Sequence, residues 1–253
     1  MIPLKIQLIR HATVKINMNE YHFLVDPMFS SKGEMDPVAN AANTCKNPLV
    51  ELPFPIENIL EGIDAVILTH SHRDHFDDAA IKTIPKDLKI FCQPEDEEKL
   101  RGFGFSNVTN IKEEENWNGI RFTRTGGQHG TGELGNQMGP VSGFIMESAG
   151  EPSLYIAGDT IWCDEVQEAL KERSPEIIIL NGGEAQFLTG DPITMGINDI
   201  ERVSKEAPSS KIIVVHMESW NHCLLSREEL RGYIAKNGLA NVTVPSNGEI
   251  FGF

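Results

Sequence analysis

Residues 69 to 77 read Thr-His-Ser-His-Arg-Asp-His-Phe-Asp, which places three histidines and two aspartates within nine positions. His70 and His72 stand two apart, so on extended backbone their side chains leave the same face, while Asp74 and His75 can reach a second point after a turn. Imidazole and carboxylate are ligands for zinc, iron or manganese, and so dense a group would be costly to bury unpaired. The stretch therefore predicts binding of two divalent metal ions.

The alternative for this stretch is a solvated, histidine-rich loop. The preceding segment, Asp64-Ala-Val-Ile-Leu-Thr69, has the continuous apolar pattern of a buried strand. The histidines therefore follow the carboxyl end of a strand, which is where α/β folds place their ligands. This position favours the metal site over the loop.

Three further polar residues stand at the ends of apolar strand patterns. His129 follows the pattern at 120–125, Asp159 follows that at 154–157, and His216 closes Ile212-Ile-Val-Val-His216. Glycines beside His129 and before Asp159 let the backbone approach a site closely, which a structural residue would not require. Each residue alone could be structural, but together with the dense cluster they are predicted to complete the metal site.

Composition narrows the function classes. The chain has 253 residues, 40% of them hydrophobic, and we expect one domain spanning 1–253. The formal net charge of −15 opposes attraction to nucleic acid or an anionic membrane. A small-molecule substrate is favoured instead, and an anionic one is compatible with bound dications. Whether the chain forms a homo-oligomer is left open.

Two features predict a cytoplasmic protein. No apolar run approaches the length of a membrane span, and the N-terminus reads into a strand instead of a signal peptide. The cysteines are scattered without a C-x-x-C pair, so we expect buried free thiols and neither a disulfide framework nor a zinc knuckle.

Hydrophobic periodicity predicts an α/β fold. Strands are predicted at 5–10, 13–16, 22–25, 65–69, 89–92, 107–111, 120–125, 141–147, 154–157, 177–180, 211–215, 242–244 and 249–252, and helices at 77–84, 94–101, 163–172, 197–206 and 227–236. This pattern suits two packed mixed sheets with helices on the outer faces. Residues 27–57 lack periodicity, which predicts either a lid over the site or an oligomer contact.

These residues together resemble the metallo-β-lactamase superfamily. The H-x-H-x-D-H motif stands as His70, His72, Asp74 and His75, and His129, Asp159 and His216 follow in the order that the family uses. Other pieces resemble the branch of L-ascorbate-6-phosphate lactonase and N-acyl-phosphatidylethanolamine phospholipase D-like hydrolases, namely Arg10-His11-Ala12-Thr13, Phe23-Leu-Val-Asp26-Pro27 and Thr194-Met195-Gly196. The resemblance covers nearly the whole chain and implies a four-layer αβ/βα sandwich with metals at the edge between the sheets. Arg10 departs from it, since the branch usually has glycine there.

The resemblance also implies a ligand set and an activity. One ion would be held by His70, His72 and His129, the other by Asp74, His75 and His216, and Asp159 would bridge them. Zinc is the expected metal, with manganese or iron as alternatives. A hydroxide shared by the two ions, oriented by Asp74, would hydrolyse a small ester, lactone or phosphodiester.

Six other residues are candidates for the pocket or for supporting the ligands. Asp26 could accept the outer N–H of a ligand imidazole or form a turn with Pro27, and His222 could donate a proton or a hydrogen bond to substrate or lie on the surface. His11, Glu184, Glu218 and Asn221 are further candidates for contact with substrate, with structural roles as the alternative.

Three alternative functions would require different features of the chain. A nuclease of the same superfamily would need a basic patch that this acidic chain lacks. An iron-dependent oxidoreductase is disfavoured by the complete H-x-H-x-D-H set. A non-catalytic, metal-stabilised binding protein would need a closed coordination shell, whereas catalysis needs an open position.

Overall fold

The computed structural model describes residues 4–253 and contains fourteen strands within them. They are β1 (Lys5–Arg10), β2 (Thr13–Met18), β3 (Tyr21–Val25), β4 (Ala65–Leu68), β5 (Lys89–Cys92), β6 (Val108–Asn110), β7 (Glu114–Trp117), β8 (Ile120–Thr125), β9 (Gly143–Ser148), β10 (Leu154–Ile156), β11 (Ile177–Asn181), β12 (Lys211–Val215), β13 (Val242–Thr243) and β14 (Ile250–Gly252). They form two sheets of seven strands, in the orders β14-β1-β2-β3-β4-β5-β6 and β13-β12-β11-β10-β9-β8-β7.

Both sheets are mixed in the same way. In the first sheet β14, β1, β2 and β3 pair antiparallel, and β3 to β6 pair parallel. In the second sheet β7 to β10 pair antiparallel, and β10 to β13 pair parallel. The carboxyl ends of parallel strands meet at one edge of a sheet, which is where such folds place ligands.

The helices are α1 (Ile56–Leu60), α2 (Asp78–Thr83), α3 (Glu97–Gly102), α4 (Gly132–Met138), α5 (Asp164–Arg173), α6 (Ile197–Glu206) and α7 (Arg227–Asn237). Apolar residues of both sheets pack together in a central core. A second core joins α1, α2 and α3 to the first sheet, and a third joins α5, α6 and α7 to the second. The predicted αβ/βα sandwich is confirmed.

Three elements escaped sequence prediction because each is short and buries little apolar surface. Helix α4 has two glycines and no buried residue. Strand β7 lies at a sheet edge and has no fully buried side chain. Helix α1 has only five residues, begins at the end of the 27–57 segment, and has Ile59 as its only buried residue. Within residues 4–253 no helix is both long and apolar enough to cross a membrane.

Candidate metal centre

The predicted ligands collect where strands of both sheets end. His70, Asp159 and His216 follow β4, β10 and β12, and His129 follows β8. The backbone turns sharply at several of these ends, since His216 has φ 65°, and His11, directly after β1, has φ 59°. Residues other than glycine adopt this left-handed region at a cost, and such strain concentrates at functional sites.

Three imidazoles form one group of donor atoms. His70, His72 and His129 each offer a ring nitrogen, and these nitrogens lie within 4.8 Å of one another. His70 and His129 are buried, whereas His72 is only partly so and lines the adjoining pocket.

A second group consists of Asp74, His75, His216 and His11, whose donor atoms also lie within 4.8 Å of one another. His75 Nε2 lies 3.3 Å from His216 Nε2, and His216 Nε2 lies 3.5 Å from Asp74 Oδ2. His11 Nε2 lies 3.4 Å from the same Asp74 oxygen, and the His11 ring packs against the His216 ring with centroids 3.7 Å apart.

Asp159 lies between the two groups. Its Oδ2 is 3.5 Å from His129 Nε2 and 3.9 Å from His70 Nε2 in the first group, and 3.2 Å from His75 Nε2 in the second. Its Oδ1 is 3.4 Å from His216 Nε2 and accepts a hydrogen bond of 2.7 Å from Asn181. The carboxylate therefore contacts both groups.

Four of these imidazoles also have a partner for their outer nitrogen. His75 Nδ1 lies 2.8 Å from Asp26 Oδ2, and His129 Nδ1 lies 2.7 Å from the Ile193 carbonyl oxygen. His70 Nδ1 lies 3.1 Å from Thr69 Oγ1, and His216 Nδ1 lies 3.6 Å from Cys223 Sγ. Such outer partners fix the tautomer and orientation of a ligand imidazole, leaving Nε2 to face the centre.

The acidic and imidazole groups shift one another's pKa values. Burial alone would lower the pKa of His75, but the carboxylates of Asp159, Asp74 and Asp26 outweigh it and raise that pKa to about 10. Burial would raise the pKa values of Asp74 and Asp159, but the neighbouring imidazoles hold both well below the usual range. Both carboxylates are therefore ionised at neutral pH, whereas His75 is protonated, so a metal ion bound by His75 must displace its proton.

The donor set fits divalent metal ions. The Thr69 hydroxyl uses its one proton to donate to Asp26 Oδ2, so it can only accept a hydrogen bond from His70 Nδ1. The His70 ring therefore has its proton on Nδ1 and its free lone pair on Nε2. That Nε2 is buried and has no hydrogen-bond partner among the described residues. Ligands at about 2.0–2.1 Å from one tetrahedral ion stand roughly 3.3 Å apart, close to the donor separations seen here. The cluster can hold metal ions.

A pocket of about 270 Å³ opens over the centre. Its floor includes His72, Asp74 and His129, and its walls are Val38, Ala39, Arg73, Met138, Phe187, Trp220 and His222. Burial lowers the pKa of His222 to about 4, so its ring is neutral at neutral pH. Its Nδ1 has no hydrogen-bond partner within residues 4–253.

Three predicted pocket residues are engaged elsewhere. Glu218 accepts from the backbone N–H of Arg227 and pairs with the Arg227 guanidinium at the start of α7. Glu184 is not among the residues that line the pocket, and its side chain lies against Gly196 at the start of α6. Asn221 is buried, and its side-chain amide bonds to residues 38, 43 and 47.

Arg10, which stands where the resembled branch usually has glycine, does not line the pocket. It is fully buried, and its guanidinium donates to the carbonyl oxygens of Met28, Ser30 and Val50. Desolvation lowers its pKa to about 10, so it remains charged at neutral pH. The Arg10 guanidinium therefore bonds to both ends of the long segment between β3 and α1, at residues 28–30 and at residue 50.

Sequence reasoning missed two kinds of residue. Asn181, which bonds Asp159, closes an apolar strand and could have been found by the strand-end rule that found Asp159 itself. The wall residues Val38, Met138 and Phe187 lie in loops or on α4, where no apolar periodicity marks them.

A family model described as a beta-lactamase superfamily domain matches residues 21–217, more than half of the chain. The chain belongs to the metallo-β-lactamase superfamily. Within the superfamily, it is 44% identical to the UPF0173 protein YddR of Bacillus subtilis (strain 168), over 97% of this chain and 98% of YddR.

Two solved structures match nearly the full chain. A possible metal-dependent hydrolase from Veillonella parvula DSM 2008 is 38% identical with a TM-score of 0.97, covering 99% of this chain and 100% of that one. An isothiocyanate hydrolase from Delia radicum gut bacteria is 39% identical with a TM-score of 0.94, covering 98% of this chain and 99% of that one. The present chain is thus a metal-dependent hydrolase of the metallo-β-lactamase superfamily.

Proposed function

We propose that this protein uses two divalent ions, zinc first, to hydrolyse a small molecule at an electrophilic carbon, with isothiocyanates as the first substrate class. The likeness to an isothiocyanate hydrolase over nearly the whole of both chains carries the choice of substrate. The pocket supports it, because apolar walls above a metal-ligand floor suit an apolar tail attached to a compact polar group. Four free cysteines are compatible with a cytoplasmic location.

The proposed division of ligands follows the two groups of donor atoms. His70, His72 and His129 would hold one ion, Asp74, His75 and His216 would hold the other, and Asp159 would contact both. When bound, such ions lower the pKa of water toward about 7 and polarise the substrate. Seven donors exceed what one tetrahedral ion can use, which supports two ions per chain.

His11 differs from the four imidazoles whose outer nitrogens have partners. Its Nδ1 is buried without a hydrogen-bond partner in the described chain, whereas its Nε2 faces Asp74 Oδ2. An unpaired acceptor is more easily tolerated than an unpaired N–H, so the proton belongs on Nε2. His11 would then donate to Asp74 and hold its carboxylate in place, while Asp74 orients the attacking water.

His222 is proposed to contact the reacting group from the pocket wall. Because its ring is neutral, it can donate one hydrogen bond, and we assign that bond to the isothiocyanate nitrogen. Water adds across the C=N bond, its oxygen to carbon and a proton to nitrogen. Cleavage of the C–N bond with a second proton transfer to nitrogen then releases a primary amine and carbonyl sulfide.

An anionic ester or lactone is a second candidate, and Arg73 favours it. The Arg73 side chain is exposed, lines the pocket and lies 5.3 Å over the Trp220 ring. A guanidinium held there could pair with a substrate carboxylate.

A substrate panel decides between these classes. Protein of measured metal content would be offered benzyl isothiocyanate, phenyl acetate, a carboxylated γ-lactone and a phosphodiester, with Arg73→Ala beside the wild type. We expect benzylamine and carbonyl sulfide from the isothiocyanate, and little effect of Arg73→Ala on their release. Turnover of the lactone alone, lost in Arg73→Ala, would replace the isothiocyanate assignment with the second candidate.

A further inference from the structure

Residues 35–47, here called the 35–47 loop, form a closed loop beside the pocket. Met35 and Asn47 exchange two backbone hydrogen bonds, of 2.7 and 2.8 Å, which join the two ends of the loop. The loop bears Val38 and Ala39, two of the residues that wall the pocket. Its other contacts with the protein include the bond from the Leu188 N–H to the Asn40 carbonyl oxygen.

The side chain of Asn221 fills the inside of this loop. Its Oδ1 accepts from the Val38 N–H and from Asn47 Nδ2, both at 2.9 Å. Its Nδ2 donates to the carbonyl oxygens of Val38 at 3.1 Å and Asn43 at 2.8 Å. Every donor and acceptor position of the amide is therefore used by the loop, and none is left for substrate.

The backbone of Asn221 adds two more bonds to the same loop. Its N–H donates to Asn47 Oδ1 at 2.9 Å, and its carbonyl oxygen accepts from Asn43 Nδ2 at 3.0 Å. Asn221 and Asn47 are both almost fully buried, so their bonds are shielded from water. Asn221 also stands between Trp220 and His222, which form another part of the pocket wall.

We infer that Asn221 is a positioning residue that fixes Val38, and with it the loop wall of the pocket, and so sets the size of substrate tail that is accepted. Both backbone polar groups of Val38 bond to the Asn221 amide, so the position of Val38 follows that of the amide. The inference rests on the proposed function only for the identity of the tail. Because the wall is already fixed before substrate binds, no free energy is spent on ordering the loop at the moment of binding. Tails that do not fit the fixed wall are excluded.

This role separates tail selection from the chemistry of the centre. The hydrogen bonds recorded for the Asn221 side chain go to the loop, and none goes to a predicted metal ligand. Loosening the loop should therefore change KM, in a way that depends on tail size, and leave metal content and kcat nearly intact.

The test compares Asn221→Ala with Thr44→Ala, a substitution at an exposed position of the same loop. Amide hydrogen exchange of the loop is measured on substrate-free, metal-loaded protein, which makes this readout independent of the substrate assignment. KM and kcat are then measured for methyl, butyl and benzyl isothiocyanate, or for the matching series of whichever panel substrate is turned over. Val38→Phe, which narrows the wall and leaves the Asn221 amide in place, is a second variant in case Asn221→Ala does not fold.

We expect the Val38 amide to exchange at least about tenfold faster in Asn221→Ala, with two metal ions retained and no change in Thr44→Ala. The KM ratio between benzyl and methyl substrates should shift by about threefold or more, and Val38→Phe should discriminate most strongly against the benzyl tail.

Unchanged exchange would overturn the positioning role. Faster exchange with an unchanged KM ratio, or Val38→Phe without effect on tail preference, would overturn the link to specificity. Loss of a metal ion in Asn221→Ala would place its action at the centre.

Discussion

Apart from Arg73, which lies within the ligand motif, the pocket wall and the metal centre below it are built from different parts of the chain. The centre consists of residues that follow strands, and the outer nitrogens of four imidazoles are held by groups such as Asp26 and the Ile193 carbonyl. The wall comes from the 35–47 loop, helix α4 and the segments at 187 and 220–222. Strand ends fix the reacting groups to the core, whereas loops can vary without disturbing them.

Because of this difference, mutations at the centre and mutations in the wall should affect different properties of the enzyme. Changes at the centre should lower metal binding and turnover of every substrate. Changes in the wall should leave the metal in place and, except at His222, which is proposed to bond the reacting group, should alter preference among substrates or stability.

The largest effect is expected for Asp159→Asn, because the Asp159 carboxylate contacts both donor groups. The substitution removes the charge and half of the acceptor capacity at the point where both proposed ions meet. We expect a folded protein with fewer metal ions and activity lower by at least about a hundredfold, measured by elemental analysis and steady-state kinetics. Asp87→Asn, at an exposed position, is the control. Full metal content and normal hydrolysis in Asp159→Asn would remove this residue from the centre.

A smaller effect is expected for Asp26→Asn, which acts through His75. Asp26 Oδ2 is shared by His75 Nδ1 and the Thr69 hydroxyl, and an amide cannot accept all the bonds that the carboxylate accepts. Metal affinity should fall by roughly 10–100-fold, measured by competition with a chelator. If affinity stays the same while thermal stability falls, Asp26 serves the fold alone.

A still smaller effect is expected for His11→Leu, which tests whether the proton of the His11 ring is on Nε2. Losing a hydrogen bond to the Asp74 carboxylate should lower kcat by roughly tenfold, whereas His11→Gln, which keeps a donor, should lose less. Nitrogen NMR of the wild type should show a proton on His11 Nε2. A metal-bound, unprotonated Nε2 would make His11 a ligand and not a support for Asp74.

The smallest effect concerns His222 in the wall. Its pKa of about 4 lies below the usual histidine value of roughly 6.5, so the unfolded state binds more protons between these pH values. The free energy of unfolding should therefore fall as pH drops from about 6.5 to 4, and His222→Gln should remove up to about 3 kcal/mol of that fall in metal-free protein. Urea unfolding at several pH values measures it. Identical pH profiles for wild type and variant would show that His222 is already hydrated in the folded state.

The sequence predicted the sandwich and the clustering of donors because both follow from local rules. A buried strand gives an apolar run, and a polar residue at its end is visible beside that run, as at Asp159 and His216. Of the wall, the sequence predicted His222 as a candidate but not Val38 or Phe187, since the segments that bear these two are placed by long-range hydrogen bonds that leave no periodic pattern.

Glu184 shows the converse case. It follows the end of β11, as a site residue would, yet the chain passes with φ 48° there and its side chain lies against Gly196. A position close after a strand end was therefore not sufficient to place a side chain in the centre, because it did not decide on which side of the turn the side chain would lie.

The most direct test is a metal titration of the metal-free protein with turnover followed at each step. We expect two zinc ions per chain, with hydrolysis of the panel substrate rising until the second ion is bound and staying low in Asp159→Asn at any metal concentration. Full activity at one ion per chain, or no hydrolysis of any panel substrate by protein that holds two, would contradict it.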